Sequence, residues 1–208
     1  MSVEASADSY SAPAAPAQHE ERIERSRFLA LVQPVENASQ VAAFLEGLRA
    51  QHHKATHHCS AWRAGLPGTS PAFGASDDGE PSGSAGLPIL RAIEGSGLSD
   101  VAVVVVRWYG GVKLGTGGLV RAYGGVAAQA LAACPRERRV CRVPMGLRFP
   151  IPLMTQVRRL LARHEALEVR LQRTHELCLE LEVPAGRASE LEQELLRLFQ
   201  GKGELWRS

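Results

Sequence analysis

The sequence lacks the segments that would direct it to a membrane or out of the cell. None of its 208 residues belong to an apolar run of about 18 residues, the minimum for a membrane-spanning helix. The N-terminus also has no basic region followed by an apolar one, so no secretion signal is indicated. We therefore expect a cytoplasmic protein that has no membrane partner.

Cysteine is scarce, and neither sign of charge is in large excess. The cysteines at positions 59, 134, 141 and 178 form no C-x-x-C pair, which argues against a disulfide framework and against a zinc ribbon. Lys and Arg number 24 against 22 Asp and Glu, for a formal charge of +2. A chain this close to neutral does not coat nucleic acid with its whole surface, so any basic binding surface must be local.

The pattern along the chain predicts a tail and two domains. Residues 1–18 are mostly Ala, Ser and Pro with few large apolar side chains, which favours a disordered tail. Residues 19–139 predict a mixed α/β domain with a helix capped by Asn37 and a central buried strand at Val101–Val106. Residues 140–208 predict the order β-α-β-β-α-β of a ferredoxin-like domain. The predicted class is α+β.

The first of two glycine-rich loops, Asp77–Gly86, combines acidic and small residues. Glycine is found where the backbone must adopt unusual dihedral angles or lie close to another surface, so such a loop suggests a defined surface and not a random linker. Asp77, Asp78 and Glu80 could bind a hard cation or act as acid and base. Turn chemistry explains Asp-Asp-Gly equally well, since a side-chain oxygen there can hold backbone N–H groups.

The end of the same loop opens a predicted helix. Free N–H groups at a helix N-terminus favour an anion, so Ser82 and Ser84 could hold phosphate, with a magnesium ion bridging to Asp77, Asp78 or Glu80. That arrangement would suit an enzyme or binder of a phosphate- or nucleotide-containing ligand. Simple N-capping by Ser84 is the alternative.

The second loop follows the buried strand and is not a Walker-type phosphate loop, because Lys113 precedes Gly115. It places cations beside aromatic rings, a combination that suits RNA, where cations meet phosphate and rings stack on bases. Alternatively the rings belong to the core and the cations are solvated. The residues concerned are Arg107, Lys113 and Arg121 with Trp108, Tyr109 and Tyr123.

A cluster of imidazole and thiol groups precedes the first loop, at His52, His53, His57, His58 and Cys59. Such groups are good zinc ligands. On the predicted strand, however, His57 and Cys59 share one face while His58 points to the other. A surface or core role is favoured, and no metal site is predicted.

Four segments resemble the Impact (YigZ-type) family. They read SRF at 26–28, ATHHC at 55–59, DDGEPSGSAGLPIL at 77–90 and VRWYGGVKLGTGGLVRAY at 106–123. Ser84 stands where Thr is usual, and Trp108-Tyr109 stands where Tyr-Phe or Phe-Phe is common. The resemblance implies a first domain like domain 2 of ribosomal protein S5. It also implies a second domain like the last domain of elongation factor G.

The resemblance implies a role in translation. Eukaryotic members regulate translation by binding a scaffold of the amino-acid-starvation kinase pathway, partly through an additional N-terminal domain for which this sequence has no counterpart. That specific role is not transferred. Bacterial members have been labelled proline dipeptidases, but the sequence offers no ligand set for a two-metal peptidase.

The leading hypothesis is a non-enzymatic, translation-associated protein without a cofactor. It would bind RNA or the ribosome, or a translation-control protein, through the two glycine-rich loops. Arg107, Lys113 and Arg121 would contact phosphate, and the Asp77–Gly86 loop would shape the rim. The oligomeric state is left open by the sequence.

Overall fold

A computed structural model describes residues 9–65, 72–173 and 175–207. The chain divides into two compact units, Tyr10–Arg139 and the unit that begins at Val140. Within the described residues, no helix is both long and apolar enough to span a bilayer. The secondary structure is mixed α/β, as predicted.

The first unit is built on a five-stranded sheet with helices on both faces. The strands of this unit, in both its five-stranded sheet and a separate two-stranded one, are β1 (Ser9–Pro13), β2 (Ala17–Ile23), β3 (Ser26–Pro34), β4 (His57–Ala64), β5 (Ala72–Ser76), β6 (Val101–Trp108) and β7 (Arg136–Val140). Its helices are α1 (Ala38–Gln51), α2 (Gly86–Ser96) and α3 (Gly115–Ala132). The order in the large sheet is β2-β3-β6-β4-β5, and β1 pairs separately with β7.

The central strand β6 determines where the core lies. Residues Val101–Val106 are all buried, because β3 and β4 flank the strand and helices cover both of its faces. Val103 and Val105 pack with α2 and α3, whereas Val104 and Val106 pack on the side of α1. The prediction of a buried central strand is confirmed, although the strand extends to Trp108.

Helix boundaries agree with the sequence in part. Asn37 caps α1 as predicted, since its Oδ1 accepts from the Gln40 N–H at 3.0 Å. The second glycine loop ends at Leu114, because α3 begins at Gly115. Leu119, Tyr123 and Val126 face the core at helical spacing, and this packing supports a helix through the glycine-rich first turn.

The prediction of a disordered tail over 1–18 is wrong for the part that the structure describes. Strand β2 pairs antiparallel with β3, from Ala17 opposite Val32 to Ile23 opposite Ser26. Strand β1 is held by backbone hydrogen bonds, such as that from the Ser99 N–H to the Ser11 carbonyl at 3.0 Å. Strand pairing uses backbone groups, so the scarcity of large side chains did not prevent it. Residues 1–8 of the predicted tail lie outside the described residues.

The second unit contains a four-stranded antiparallel sheet of order β11-β8-β10-β9. Its elements are β8 (Arg142–Phe149), α4 (Met154–Arg163), β9 (Leu167–Arg173), β10 (Leu177–Pro184), α5 (Ala188–Phe199) and β11 (Glu204–Arg207). Their order along the chain is the β-α-β-β-α-β order that the sequence predicts. Buried apolar residues of both helices, Val157, Leu161 and Leu195 among them, pack in one core with sheet residues such as Leu147 and Leu179.

Candidate functional site

A cleft of about 500 Å³ lies in the first unit, where the Asp77–Gly86 loop meets the start of β4, the end of β6 and the start of α3. Its lining joins both glycine-rich loops predicted from the sequence. The side chains that define its chemistry are His57, Glu80, Arg107, Tyr109, Lys113 and Thr116.

Asp77 fills the anion position at the N-terminus of α2. Its Oδ1 accepts from the Ala85 and Gly86 N–H groups at 2.9 and 2.8 Å, and its Oδ2 accepts from the Gly83 N–H at 2.8 Å. Burial opposes ionisation of this carboxyl, but the three N–H groups together hold its pKa below the ordinary value. The amides expected to bind phosphate are therefore occupied by the protein's own carboxylate.

The two serines of this loop lie in different surroundings, and Ser84 does not have the capping role considered from the sequence. The Ser84 hydroxyl is buried and donates to the Pro81 carbonyl at 2.6 Å, so Ser84 does not cap α2. Ser82 is exposed. The cap comes instead from Asp77, nine positions before the first helical residue, a distance at which sequence capping rules give no signal.

Asp78 ties the loop to two other elements. Its Oδ1 accepts from Arg49 Nη2 of α1 at 2.5 Å, and its Oδ2 accepts from the His58 N–H of β4 at 2.6 Å. Burial again opposes ionisation, but Arg49 and the His58 N–H outweigh it and lower the pKa of Asp78. The turn itself uses left-handed backbone, with φ of 44° at Asp78 and 85° at Gly79.

Glu80 is the buried centre of the site. Its Oε1 accepts from Arg107 Nη1 at 2.6 Å and from the Tyr123 hydroxyl at 2.7 Å. Burial raises the pKa of Tyr123, so this hydroxyl stays protonated and acts as a donor. The floor of the cleft is thus a neutralised ion pair fixed by hydrogen bonds.

Arg107, which the sequence analysis expects to contact phosphate, is buried and held by partners within the protein. The residue is only 4% exposed, and its guanidinium bonds to Glu80 and, through Nη2, to Ser26 Oγ at 3.3 Å. Arg107 lies near the end of the central strand, on the face that α2 and α3 cover. Its charge is therefore balanced internally.

The described residues do not support the alternative of a magnesium site. Asp77 binds backbone amides, Asp78 binds Arg49, and Glu80 binds Arg107, so the three carboxylates point to separate partners. Among residues 9–65, 72–173 and 175–207, no three His, Cys, Asp or Glu side chains are grouped as metal ligands.

Two members of the histidine and cysteine cluster, His57 and Cys59, hold the Asp77–Gly86 loop in place. His57 Nδ1 lies 2.8 Å from the Asp78 carbonyl oxygen, and Cys59 Sγ donates to the Asp77 carbonyl at 3.0 Å. Burial raises the pKa of Cys59 to about 12, so the thiol is protonated and suited to donate. These partners are backbone carbonyls, which a sequence pattern does not reveal.

The aromatic and basic residues divide into a buried and an exposed set. Tyr123 is in the core, and Trp108 is partly buried beneath the Arg27 guanidinium, 4.3 Å from its ring centroid. Tyr109 is 45% exposed, and both Lys113 and Arg121 are exposed. Lys113 lines the cleft, and both cations line a neighbouring groove along α3. Neither cation forms an ion pair with a residue that the structure describes.

The capping role of Asp77 gives a testable pH dependence. The pKa of the Asp77 carboxyl is lower in the folded protein than in the unfolded chain, where it is about 3.9. The ionised carboxylate therefore stabilises the fold above that pH, and this stabilisation is lost as the pH falls through the pKa of the folded protein. We expect Asp77→Asn to cost about 1 kcal/mol at pH 7. In urea unfolding between about pH 5 and pH 2, the variant should lose less stability than the wild type. Parallel losses would contradict the cap.

Comparison with known proteins places this site within a shared domain. The sequence model of the protein family described as the Impact N-terminal domain matches residues 24–131 of this chain. That range contains every lining residue of the cleft. The IMPACT family member YigZ of Escherichia coli (strain K12) is 37% identical over 198 residues, 95% of this chain and 97% of that protein. The Thermus thermophilus IMPACT family member in pol 5′region is 45% identical over 186 residues, 88% of this chain and 98% of its own length.

A solved structure extends the likeness to three dimensions. It is described as the crystal structure of an hypothetical protein and superposes with a TM-score of 0.73 at 37% identity. The match covers 95% of this chain and 96% of the other. The likeness therefore spans both units.

Proposed function

The chain belongs to the Impact family, and on that basis we propose that it is a translation-associated protein that binds ribosomal RNA through the rim of the cleft. The contacting residues are Tyr109, Lys113 and Arg121. A cytoplasmic location is part of the proposal, because ribosomes work there. Translation control is what the family resemblance implies, and RNA contact is what the chemistry of the rim supports.

One observation carries the proposal: Lys113 lines the cleft together with the exposed ring of Tyr109, and it lines the neighbouring groove together with Arg121. Neither cation forms an ion pair with a described residue. Phosphate is attracted to cations whose charge is not already balanced, which applies to Lys113 and Arg121 but not to Arg107. Unpaired bases stack on accessible aromatic rings such as that of Tyr109. The rim therefore combines both elements of single-strand RNA recognition.

The ring and the loop are positioned before any partner binds. The Tyr109 N–H donates to Thr56 Oγ1 at 3.1 Å, and the Arg107 guanidinium lies 5.5 Å from the Tyr109 ring centroid. The opposite wall is anchored through Asp78 to Arg49 and His58. A preorganised surface loses less conformational entropy on binding.

Reversing the two free charges should weaken ribosome binding. We expect Lys113→Glu/Arg121→Glu to abolish most co-sedimentation with ribosomes at low salt. Log affinity falls as log salt rises, and each phosphate contact makes this slope steeper by about one. The residual binding of the double variant should therefore show a slope that is shallower than that of the wild type by about two. The measurement is the bound fraction across a salt series.

The matched control is Arg91→Glu/Arg138→Glu. Both residues are exposed, lie on α2 and β7 outside the cleft lining, and give the same change in net charge. If this control lost binding as much as the rim variant, net charge alone would explain the effect. Unchanged binding by the rim variant would place the contact elsewhere on the protein.

A further inference from the structure

The chemistry inside the cleft points to a more specific ligand than RNA phosphate. Glu80 and Arg107 are both more than nine-tenths buried, yet both line the cleft. Buried charges are retained in a protein interior when they are paired, and their unused hydrogen-bonding positions favour a ligand of matching chemistry. The floor of the cleft is therefore polar, and hydrogen bonds hold its side chains in position.

His57 presents an acceptor to this floor. Its Nδ1 lies 2.8 Å from the Asp78 carbonyl oxygen, which can only accept, so Nδ1 carries the hydrogen. In the neutral imidazole Nε2 then has a free lone pair. This Nε2 lies 3.8 Å from Glu80 Oε1.

Glu80 presents acceptors at the same place. Among the described residues, Arg107 and Tyr123 donate hydrogen bonds to this carboxylate, and both bonds are to Oε1. Oε2 therefore remains available. An imidazole lone pair and a carboxylate side by side are complementary to a group with two N–H donors.

We infer that the cleft holds one unpaired nucleobase that carries an exocyclic amino group, with that group between His57 Nε2 and Glu80. A carboxylate accepts from the amino group of cytosine in known base readout, and other amino-bearing bases offer the same donors. Uracil carries a carbonyl oxygen, O4, where cytosine carries its amino group, and this oxygen is repelled by both acceptors.

The mouth of the cleft fits the rest of a nucleotide. The exposed Tyr109 ring is available to stack on the base, and Lys113 and Thr116, which line the same cleft, offer an ammonium and a hydroxyl group to a phosphate. The inference rests on the proposed function, since it names the part of the RNA that enters the cleft. Free nucleotides share this chemistry, so the test must separate them from RNA.

The test is a binding series on the full chain, read by fluorescence anisotropy for rC10, rA10 and rU10 and by calorimetry for CMP, AMP and UMP. We expect rC10 and rA10 to bind about tenfold more tightly than rU10, the low end of discrimination by a good base contact. Tyr109→Ala should weaken the binding of rC10, rA10 and rU10 alike, because stacking on an aromatic ring does not distinguish the bases. Phe73→Ala, which removes an exposed ring outside the cleft lining, should change none of these affinities.

The outcomes separate the inference from the proposed function. Equal binding of the three oligonucleotides would overturn the base preference and leave RNA contact standing. Preference for CMP and AMP over UMP, without binding to any oligonucleotide or to ribosomes, would support the base site and overturn RNA contact. No binding of any oligonucleotide or nucleotide would overturn the inference. Because the comparison of bases uses unaltered protein, no folding defect can produce these results.

Discussion

Arg107→Met should lower the free energy of unfolding by about 3–5 kcal/mol, the usual cost of leaving one member of a buried ion pair alone. Arg107 Nη1 and Glu80 Oε1 are 2.6 Å apart, and both side chains are almost fully buried. Removing the guanidinium leaves a carboxylate in the interior with only the Tyr123 hydroxyl to stabilise it. The measurement is urea unfolding followed by circular dichroism.

Two further variants make this prediction specific. Arg107→Met/Glu80→Gln should recover part of the lost stability, because no unpaired charge remains and the amide oxygen still accepts from Tyr123. Arg158→Met breaks the exposed pair of Arg158 and Glu168 and should change stability little. A loss of stability in Arg107→Met as small as that in Arg158→Met would contradict this prediction, because it would mean that solvent screens the Arg107–Glu80 ion pair.

Gly110→Ala should destabilise the first unit by about 3 kcal/mol, the upper part of the usual range for overpacking. A Cβ at this position would lie 2.0 Å from the Arg25 carbonyl oxygen and 2.2 Å from its carbon. The clashing atoms are backbone atoms of the turn between β2 and β3. They cannot move aside as a flexible side chain could, so the strands must shift.

The matched control for this prediction is Gly47→Ala in α1, where a Cβ would meet nothing within 4 Å. Alanine in a helix interior is favoured over glycine by about 0.5–1 kcal/mol, so this variant should be slightly more stable than the wild type. Thermal and urea unfolding report both changes. A neutral Gly110→Ala would contradict the close approach of the Gly110 backbone, just after β6, to the Arg25 turn.

Features that depend on local pattern were predictable from the sequence. The buried strand β6 is a run of β-branched residues, and α1 has a capping side chain directly before its apolar positions. The order of elements in the second unit follows from the alternation of strand and helix periods. Of the site residues predicted from the sequence, Glu80, Arg107 and Lys113 line the cleft.

Features that depend on long-range partners were not predictable. The sequence does not distinguish Arg107, whose charge Glu80 balances 27 positions earlier, from Lys113, which has no acidic partner among the described residues. The same limit applies to Asp77, whose partners are backbone amides up to nine positions later. Strands β1 and β2 were missed because backbone pairing, not side-chain composition, orders them.

The most direct test of the central claim is sedimentation of the wild-type protein with purified ribosomes across a salt series. The account predicts co-sedimentation at low salt, with log affinity falling linearly as log salt rises, because the rim cations displace counterions from RNA phosphates. Absence of co-sedimentation at low salt, or binding that salt does not weaken, would contradict RNA contact through Lys113 and Arg121.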